Sequence, residues 1–141
     1  TLPITLRQTV ERLGVPQAYA AFAVPLGANV KMDGCGAIYP AIASIFIAQY
    51  FSIDLTLTQY VLIGLTAVLG SLGTAGVPGT SIVMLTLTLS TLGLPLSGVG
   101  LLLAVDPIID MGRTAVNVTG QSVVATVVAK RERILDESRW A

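Results

Sequence analysis

The chain has 141 residues, of which 53% are hydrophobic and only 11% are charged. Soluble domains carry about 25% charged residues, so this composition does not suit a soluble globular domain. The eight basic and eight acidic residues cancel, which excludes the basic balance typical of nucleic-acid-binding proteins. The absence of histidine removes the most common general base and metal ligand. The composition therefore predicts a membrane protein, whose partner is a lipid bilayer and not a nucleic acid.

The charged residues are concentrated at the two ends of the chain. Ten of the sixteen lie among the first twelve or the last twelve residues, and a stretch of 117 residues between them holds only six. These six are Lys31, Asp33, Asp54, Asp106, Asp110 and Arg113. An ionisable group at membrane depth costs roughly 3 kcal/mol or more, so each one retained there is a candidate functional residue.

The first long apolar segment covers residues 15–51, after a short basic segment at residues 1–14. A spanning helix needs about 20 apolar residues, and this segment is much longer. Gly27 and then the polar run Lys31-Met32-Asp33-Gly34 interrupt it. We therefore predict one tilted, broken spanning helix with halves over residues 16–30 and 36–50, joined by an unwound turn.

Residues 52–98 contain two apolar arms around a glycine-rich centre, Gly73-Thr-Ala-Gly-Val-Pro-Gly-Thr80. Three glycines and a proline within eight residues cannot continue a helix. Each arm has about 13 to 15 residues, which is too short to cross a bilayer. The pattern predicts a re-entrant helical hairpin whose tip is buried in protein or faces an aqueous cavity.

Residues 99–129 are predicted to form a second spanning helix with a polar stripe. Asp106, Asp110, Arg113, Asn117 and Gln121 are spaced by 4, 3, 4 and 4 residues, which places them on one helix face. A guanidinium fork matches a carboxylate, and a neighbouring carboxylate accepts from an ammonium. The stripe therefore predicts recognition of an amino acid with a second carboxylate or comparable acceptor. The alternative is that Asp110 and Arg113 form an internal ion pair that binds no substrate. For Asp106 we expect a structural role, in which its carboxylate accepts hydrogen bonds from the backbone or from a hydroxyl.

The basic residues also predict the orientation in the membrane. Lys and Arg mark the cytoplasmic side; they occur in residues 1–14 and in the tail, residues 130–141, but not in loops 52–58 and 93–98. We predict an all-α, multi-pass protein of the plasma membrane with both ends cytoplasmic. At the unwound turn, Asp33 is a candidate ligand for sodium, and a local ion pair with Lys31 is the alternative.

Three motifs resemble the dicarboxylate/amino acid:cation symporter family, the glutamate transporter family. They are Leu26-Gly-Ala-Asn-Val-Lys-Met-Asp-Gly34, Gly73-Thr-Ala-Gly-Val-Pro-Gly79 and Asp110-Met-Gly-Arg-Thr-Ala-Val-Asn-Val-Thr-Gly120. The resemblance covers essentially the whole chain and implies a secondary active transporter that is not an enzyme. It implies the C-terminal part of a transport domain, with residues 1–14 ending a first re-entrant hairpin. The missing N-terminal half would contain the scaffold helices through which the family forms homotrimers.

The resemblance assigns roles to individual residues. It implies that Arg113 binds a substrate side-chain carboxylate and Asp110 the amino group. Further substrate contacts are implied for Thr114, Asn117, Gly76 and Val77, the last two as the hairpin tip that covers the substrate. The backbones of Ser71, Leu72, Thr74 and Asn29 match one sodium site, and those of Gly27 and Asn117 match a second.

The sequence departs from the family pattern at two positions tied to sodium binding. The unwound motif usually begins with Asn where this chain has Lys31, and Asp usually follows the last motif where this chain has Gln121. Gaining an ammonium and losing a carboxylate weakens a cation site. The resemblance therefore predicts proton coupling or fewer sodium ions, with Lys31 and Gln121 as the coupling positions and no other cofactor.

The substrate and the status of the chain each have alternatives. Arg113 with Asp110 favours aspartate or glutamate, and Asp110 disfavours a simple dicarboxylate, which has no ammonium. The string Gly34-Cys-Gly-Ala-Ile-Tyr-Pro-Ala41 is similar to the bacterial cystine-uptake branch of the family, so a cystine symporter is the first alternative. The second is a membrane fragment that does not transport.

Overall fold

The computed structural model describes residues 1–74, 76–77 and 79–140, and the regular elements within these ranges are helical. In chain order they are α1 (Leu2–Glu11), α2 (Gln17–Val30), a π-helical turn (Gly34–Ile38), α3 (Tyr39–Tyr50), α4 (Leu57–Gly73), α5 (Thr80–Leu92), α6 (Gly98–Leu103), α7 (Asp106–Arg131) and a 3-10 turn (Glu137–Trp140). The prediction of an all-α chain is confirmed for the described residues.

The long apolar segment forms a broken helix, as predicted. The helical hydrogen bonding of α2 ends as the N–H of Lys31 donates to Gly27 O at 2.9 Å. The chain resumes in a wider, π-helical turn, in which the N–H of Tyr39 donates to the carbonyl of Gly34. Such turns contain i→i+5 bonds and often occur at functional sites. The broken helix, residues 17–50, is the one helix in the described part of the chain that is long and apolar enough to cross a membrane.

Helices α4 and α5 correspond to the two predicted apolar arms. Thr56 begins α4 with a capping box, in which its hydroxyl accepts from Gln59 N and the Gln59 side chain accepts from Thr56 N. Gly79 precedes α5 with φ +84° and Gly93 follows it with φ +69°, conformations that favour glycine. Residues 75 and 78 of the predicted glycine-rich tip lie outside the described residues.

The prediction of one continuous helix over residues 99–129 is wrong. The chain turns at Ala104 and Val105, which separates the short helix α6 from the 26-residue helix α7. Pro107 lies at the start of α7, and its ring nitrogen has no hydrogen to donate to the turn before it. The break shortens the last helix from its N-terminal side but leaves the whole polar stripe on α7.

Two hydrophobic cores lie on either side of the helix break. The first joins α3, α4 and α5 around Ile47, Leu85 and Leu89, each 0% exposed. The second joins α1, α2 and α7 around residues such as Val24 and Ala129, also 0% exposed. The π-helical turn contacts both α4 and α7, so the break is fixed between the two cores.

The outer faces of several helices expose large apolar side chains. Leu57 and Leu69 on α4 are 81% and 68% exposed, and Ile108 and Met111 on α7 are 74% and 72% exposed. Surfaces of this kind mark contact with a membrane or with further protein. These exposed apolar faces agree with the low charge content of the sequence and show where its many hydrophobic residues lie.

Candidate functional site

A cavity of about 440 Å³ lies where the helix break, the hairpin tip and α7 meet. This volume is within the usual range for small-molecule sites. Five of the six residues predicted to bind substrate line it: Asp110, Thr114, Asn117, Gly76 and Val77. Gln121 lines it as well, together with Cys35 and Met32 of the helix break. The structure thus brings together residues that are distant in the sequence, such as Met32 and Gln121, which are 89 positions apart.

Arg113, the predicted carboxylate binder, is not among the described residues that line this cavity. It lines a second, apolar cavity of about 290 Å³ between α3, α6 and α7. Its guanidinium donates to Asp106 Oδ1 at 2.8 Å and to Asp110 Oδ1 at 2.9 Å, and its side chain is only 4% exposed. Asp106 and Asp110 both line the first cavity and therefore connect Arg113 to it.

Within the predicted polar stripe, these contacts pair Arg113 with both Asp106 and Asp110. The pairing of Arg113 with Asp110 matches the alternative of an internal ion pair, although Asp110 remains 53% exposed on its side chain. The expectation that Asp106 holds backbone or a hydroxyl is wrong, because its carboxylate pairs with Arg113. One guanidinium bridges two carboxylates, so the cluster carries a net charge of −1 when all three groups are ionised.

Tyr39 is a neighbour of Arg113 that the sequence analysis missed. The guanidinium carbon of Arg113 lies 4.1 Å from the centre of the Tyr39 ring, within the range of a cation–π interaction. Tyr39 is the first residue of α3, directly after the π-helical turn. The register of that turn decides which residue faces α7, and no periodic pattern in the sequence indicates it.

Asn117 joins α7 to the helix break through both ends of its side-chain amide. Its Oδ1 accepts from the N–H of Gly34 at 2.8 Å, and its Nδ2 lies 3.2 Å from Cys35 Sγ. Asn117 is 3% exposed. It therefore fixes the wall of the cavity, and its hydrogen-bonding groups are already in use within the chain.

The two ionisable residues of the helix break form an ion pair, as the alternative for Lys31 predicted. The Lys31 ammonium contacts Asp33 Oδ2, and Asp33 Oδ1 accepts from the Ser71 hydroxyl at 2.5 Å. The pair also lies against α7, because a Cβ added at Gly120 would collide with Lys31 Nζ. A single carboxylate thus ties the break to the end of α4 and neutralises the ammonium beside α7.

Gln121 lies against the same break. Its Nε2 is 3.5 Å from Lys31 O and 3.7 Å from Met32 Sδ, and the residue is 6% exposed. Gly27 is directly beside it, because a Cβ on Gly27 would lie 3.2 Å from Gln121 Cγ. Gly27 of the second predicted sodium site and the coupling position Gln121 are therefore neighbours, and the amide donor of Gln121 faces the carbonyl of Lys31.

The residues of the other predicted sodium site differ in exposure and already have hydrogen-bond partners within the chain. Thr74 is 0% exposed and its hydroxyl donates to Gly70 O at 2.5 Å, whereas Leu72 is 62% exposed. Asn29 is exposed and its Nδ2 donates to Pro25 O at 3.0 Å. In the described part of the chain, no three His, Cys, Asp or Glu side chains cluster as a metal centre would require. Any cation here would depend mainly on backbone carbonyls.

Comparison with known proteins identifies the relatives of this chain. Residues 1–131 match the family described as the sodium:dicarboxylate symporter family. The chain is 42% identical over 132 residues to a proton/glutamate-aspartate symporter of Escherichia coli, covering 94% of this chain and 30% of that protein. It is 40% identical over 134 residues to a proton/sodium-glutamate symport protein of Geobacillus stearothermophilus, covering 95% and 32%.

Animal transporters are similar to the same degree. The chain is 43% identical over 141 residues to excitatory amino acid transporter 4 of Mus musculus, covering 98% of this chain and 25% of that protein. The chain therefore spans between a quarter and a third of the length of these three relatives. Each of them is named as a symporter or a transporter, and none is named as an enzyme.

Proposed function

Since the chain belongs to the sodium:dicarboxylate symporter family, we propose that it binds substrate and coupling ion in a secondary active transporter for an acidic amino acid. The family consists of membrane symporters, which confirms the predictions of a membrane protein and of a transporter that is not an enzyme. The bacterial and animal relatives support an amino acid as the transported molecule. The finer assignment, aspartate or glutamate, rests on the residues of the cavity.

The single observation that carries this proposal is the shared position of Asp110. Its carboxylate lines the 440 Å³ cavity and at the same time holds the guanidinium of Arg113. A substrate carboxylate could replace Asp110 on Arg113, which would free Asp110 to accept the substrate ammonium. Such an exchange conserves the number of charge-assisted hydrogen bonds. To select acidic amino acids, the carboxylate that replaces Asp110 must be the one on the substrate side chain, which aspartate and glutamate have in addition to their ammonium.

The hairpin is the proposed cover of this cavity. Helix α4 has 17 residues and α5 has 13, so at 1.5 Å per residue they extend about 25 Å and 20 Å. Both are shorter than the roughly 30 Å hydrocarbon core. This supports a re-entrant hairpin within residues 52–98, and we place Gly76 and Val77, which line the cavity, at the substrate.

We propose that transport by this protein depends less on sodium than the family pattern implies. The Asp33 carboxylate already has the Lys31 ammonium as its partner, so it offers little net attraction to a further cation. Gln121 points an amide donor at the carbonyl of Lys31, where a carboxylate would have added a ligand. We propose that Lys31 acts as a tethered cation and that protons or fewer sodium ions drive transport.

Uptake by the full-length gene product in proteoliposomes tests the function. We expect accumulation of radiolabelled aspartate or glutamate under an imposed sodium or proton gradient, and none with choline at equal pH. Alanine, which lacks the second carboxylate, should compete at least about 30-fold more weakly, the effect of about 2 kcal/mol. Preferred uptake of cystine would support the alternative substrate. Gradient-independent binding without uptake would support the non-transporting alternative.

A further inference from the structure

Helix α1 connects the substrate cavity to a distant part of the chain. Thr1 and Leu2 at its N-terminal end line the 440 Å³ cavity. Its last residue, Glu11, lies ten residues later, which is about 15 Å along a helix. Between the two ends, Thr9 is 0% exposed and its hydroxyl lies 3.2 Å from Ser122 Oγ of α7. Because α1 is one unbroken helix between these two ends, a shift at one end can reach the other.

Residues 136–140, which we name the tail clasp, hold the end of α1 and the turn that follows it. A helix C-terminus leaves carbonyl groups without donors in the helix, and Arg139 Nη1 donates to one of them, Glu11 O, at 3.3 Å. In the turn after α1, Asp136 N donates to Gly14 O and Trp140 Nε1 donates to Leu13 O, both at 2.9 Å. The end of α1 is thus held by donors more than 120 positions away in the sequence.

The tail clasp is itself an ordered unit. Asp136 Oδ1 accepts from the Ser138 hydroxyl at 2.6 Å and from Ser138 N at 3.2 Å. The hydroxyl bond holds the pKa of Asp136 below its ordinary value of 3.8, so this carboxylate is ionised at neutral pH. Lys130 at the end of α7 pairs with Glu137 at 3.3 Å and lies 5.8 Å from the Trp140 ring centre. These contacts present the donors in a fixed direction.

The contact between Gly14 and Asp136 requires a glycine at position 14. Its φ of +74° lies in the left-handed region, and a Cβ there would collide with the carbonyl oxygen of Asp136. Gly93 offers a matched comparison, since it has a similar φ of +69° but no heavy atom within 4 Å of an added Cβ. Alanine at either position meets the same backbone strain. Only alanine at Gly14 also displaces the tail clasp.

We propose that the tail clasp positions α1 and thereby sets the wall of the substrate cavity formed by Thr1 and Leu2. Gly14, Arg139 and Trp140 are then positioning residues for a site that they do not touch. The identity of the cavity as the substrate site rests on the proposed function, but the mechanical link does not. Loss of the tail clasp loosens α1 along its length and opens the cavity from that side.

Two measurements on the purified full-length gene product test the link without relying on transport. The first is hydrogen–deuterium exchange of the α1 amides. The second is the alkylation rate of Cys35, which lines the cavity and is 7% exposed, quantified on its own peptide by mass spectrometry. We expect Gly14→Ala to raise both rates about tenfold or more, since it disrupts several hydrogen bonds. Gly93→Ala should leave both rates within about twofold of the parent.

A milder variant allows the same measurements if the Gly14→Ala protein does not fold. Trp140→Phe keeps an aromatic side chain at this position, where Trp140 is 53% exposed, and removes the indole N–H that donates to Leu13 O. We expect about a fivefold rise in α1 exchange and in Cys35 alkylation, as for the loss of one hydrogen bond. Equal effects of the Gly14 and Gly93 variants, or a looser α1 with unchanged Cys35 alkylation, would overturn the proposal.

Uptake separates this proposal from the proposed function. If acidic amino acids are transported, Gly14→Ala should raise KM about tenfold and Trp140→Phe should raise it less, with the Gly93 variant near the parent. If nothing is transported while both structural rates respond as expected, the proposed function fails and the positioning link stands. Unchanged KM in a variant whose α1 exchange has risen tenfold would count against the link.

Discussion

At the scale of single residues, Arg113 determines how the candidate site works. It has two carboxylate partners and an aromatic ring at 4.1 Å, and its side chain is almost completely buried. A buried guanidinium needs such partners, because an unpaired charge in a low-dielectric interior is very costly. In the proposed exchange, the substrate replaces Asp110, the more exposed of the two carboxylates. Asp106 and Tyr39 would then keep the guanidinium in place.

The role of Arg113 leads to a direct prediction. In the full-length gene product, Arg113→Ala should weaken binding of acidic substrate by about 30-fold or more, because a charge-assisted contact of about 2–5 kcal/mol is lost. Arg131→Ala is the matched control, since it removes the same side chain from the exposed end of α7. Isothermal titration or competition uptake measures the change. Equal affinity in the Arg113 variant and the parent would contradict the assigned role.

The coupling residues lead to a second prediction. Lys31→Asn with Gln121→Asp removes the tethered ammonium and supplies a carboxylate where an amide now faces Lys31 O. We expect the double variant to depend more steeply on sodium than the parent does, because two charge changes favour a bound cation. Uptake against sodium concentration at fixed pH, with each single variant in parallel, measures the slope. A steep slope in the parent that the double change does not alter would rule out the tethered cation.

The sequence predicted some of these residues and missed others for a physical reason. The spacing of Asp106, Asp110 and Arg113 on one helix predicted that they lie together, because positions three and four apart share a helix face. Tyr39 is 74 positions from Arg113 and no such rule connects them. Arg113 was expected among the other substrate residues, yet its guanidinium lines a different cavity. Side-chain direction depends on the available partners, which spacing alone does not give.

At the scale of elements, the crossing of the helix break and α4 depends on two glycines. A Cβ on Gly36 would lie 2.5 Å from the backbone oxygen of Gly70, and a Cβ on Gly70 would lie 2.5 Å from Gly36 O. The backbones are therefore in direct contact, and neither can retreat without moving a whole helix. This contact attaches the π-helical turn to the arm of the hairpin that leads to the cavity.

The glycine contact gives a prediction with an internal control. Gly70→Ala should lower the thermal stability of the detergent-solubilised protein, since overpacking costs about 1–3 kcal/mol. Gly64→Ala lies in the same helix, where an added Cβ meets nothing within 4 Å. It should be neutral or stabilising, by up to about 1 kcal/mol, because alanine is the better helix former. If both variants melt at the same temperature, the crossing is looser than the structure indicates.

The elements were predictable from the sequence to different degrees. The polar run at residues 31–34 predicted the break, and the apolar arms predicted α4 and α5. The π-helical turn was not predicted, because its extra residue per turn leaves no periodic signal in so short a segment. The division of residues 99–129 into α6 and α7 was missed although Pro107 signals it. Hydropathy alone does not reveal the break, whereas the missing N–H of Pro107 indicates it.

At the scale of the whole molecule, the charge distribution accounts for the general architecture. The described helices have apolar outer faces and two separate cores, and the six central charges lie at the break, on α7 or in a loop. Relatives are three to four times longer than their aligned segment, so their additional chain offers surfaces that could cover these faces. A homotrimer and the N-terminal half remain proposals derived from the family resemblance.

The orientation of the molecule is the last prediction. Six of the eight Lys and Arg residues lie in residues 1–14 and 130–141, and loops 52–58 and 93–98 contain none. Because basic segments stay on the cytoplasmic side, we expect both loops outside and both ends inside. Single cysteines at Asp54, Ser97 and Glu132, all exposed, can be introduced after Cys35→Ser and treated with an impermeant thiol reagent. Intact cells should label the first two sites, and permeabilised cells all three. Labelling of position 132 in intact cells would invert the orientation and place the tail clasp outside.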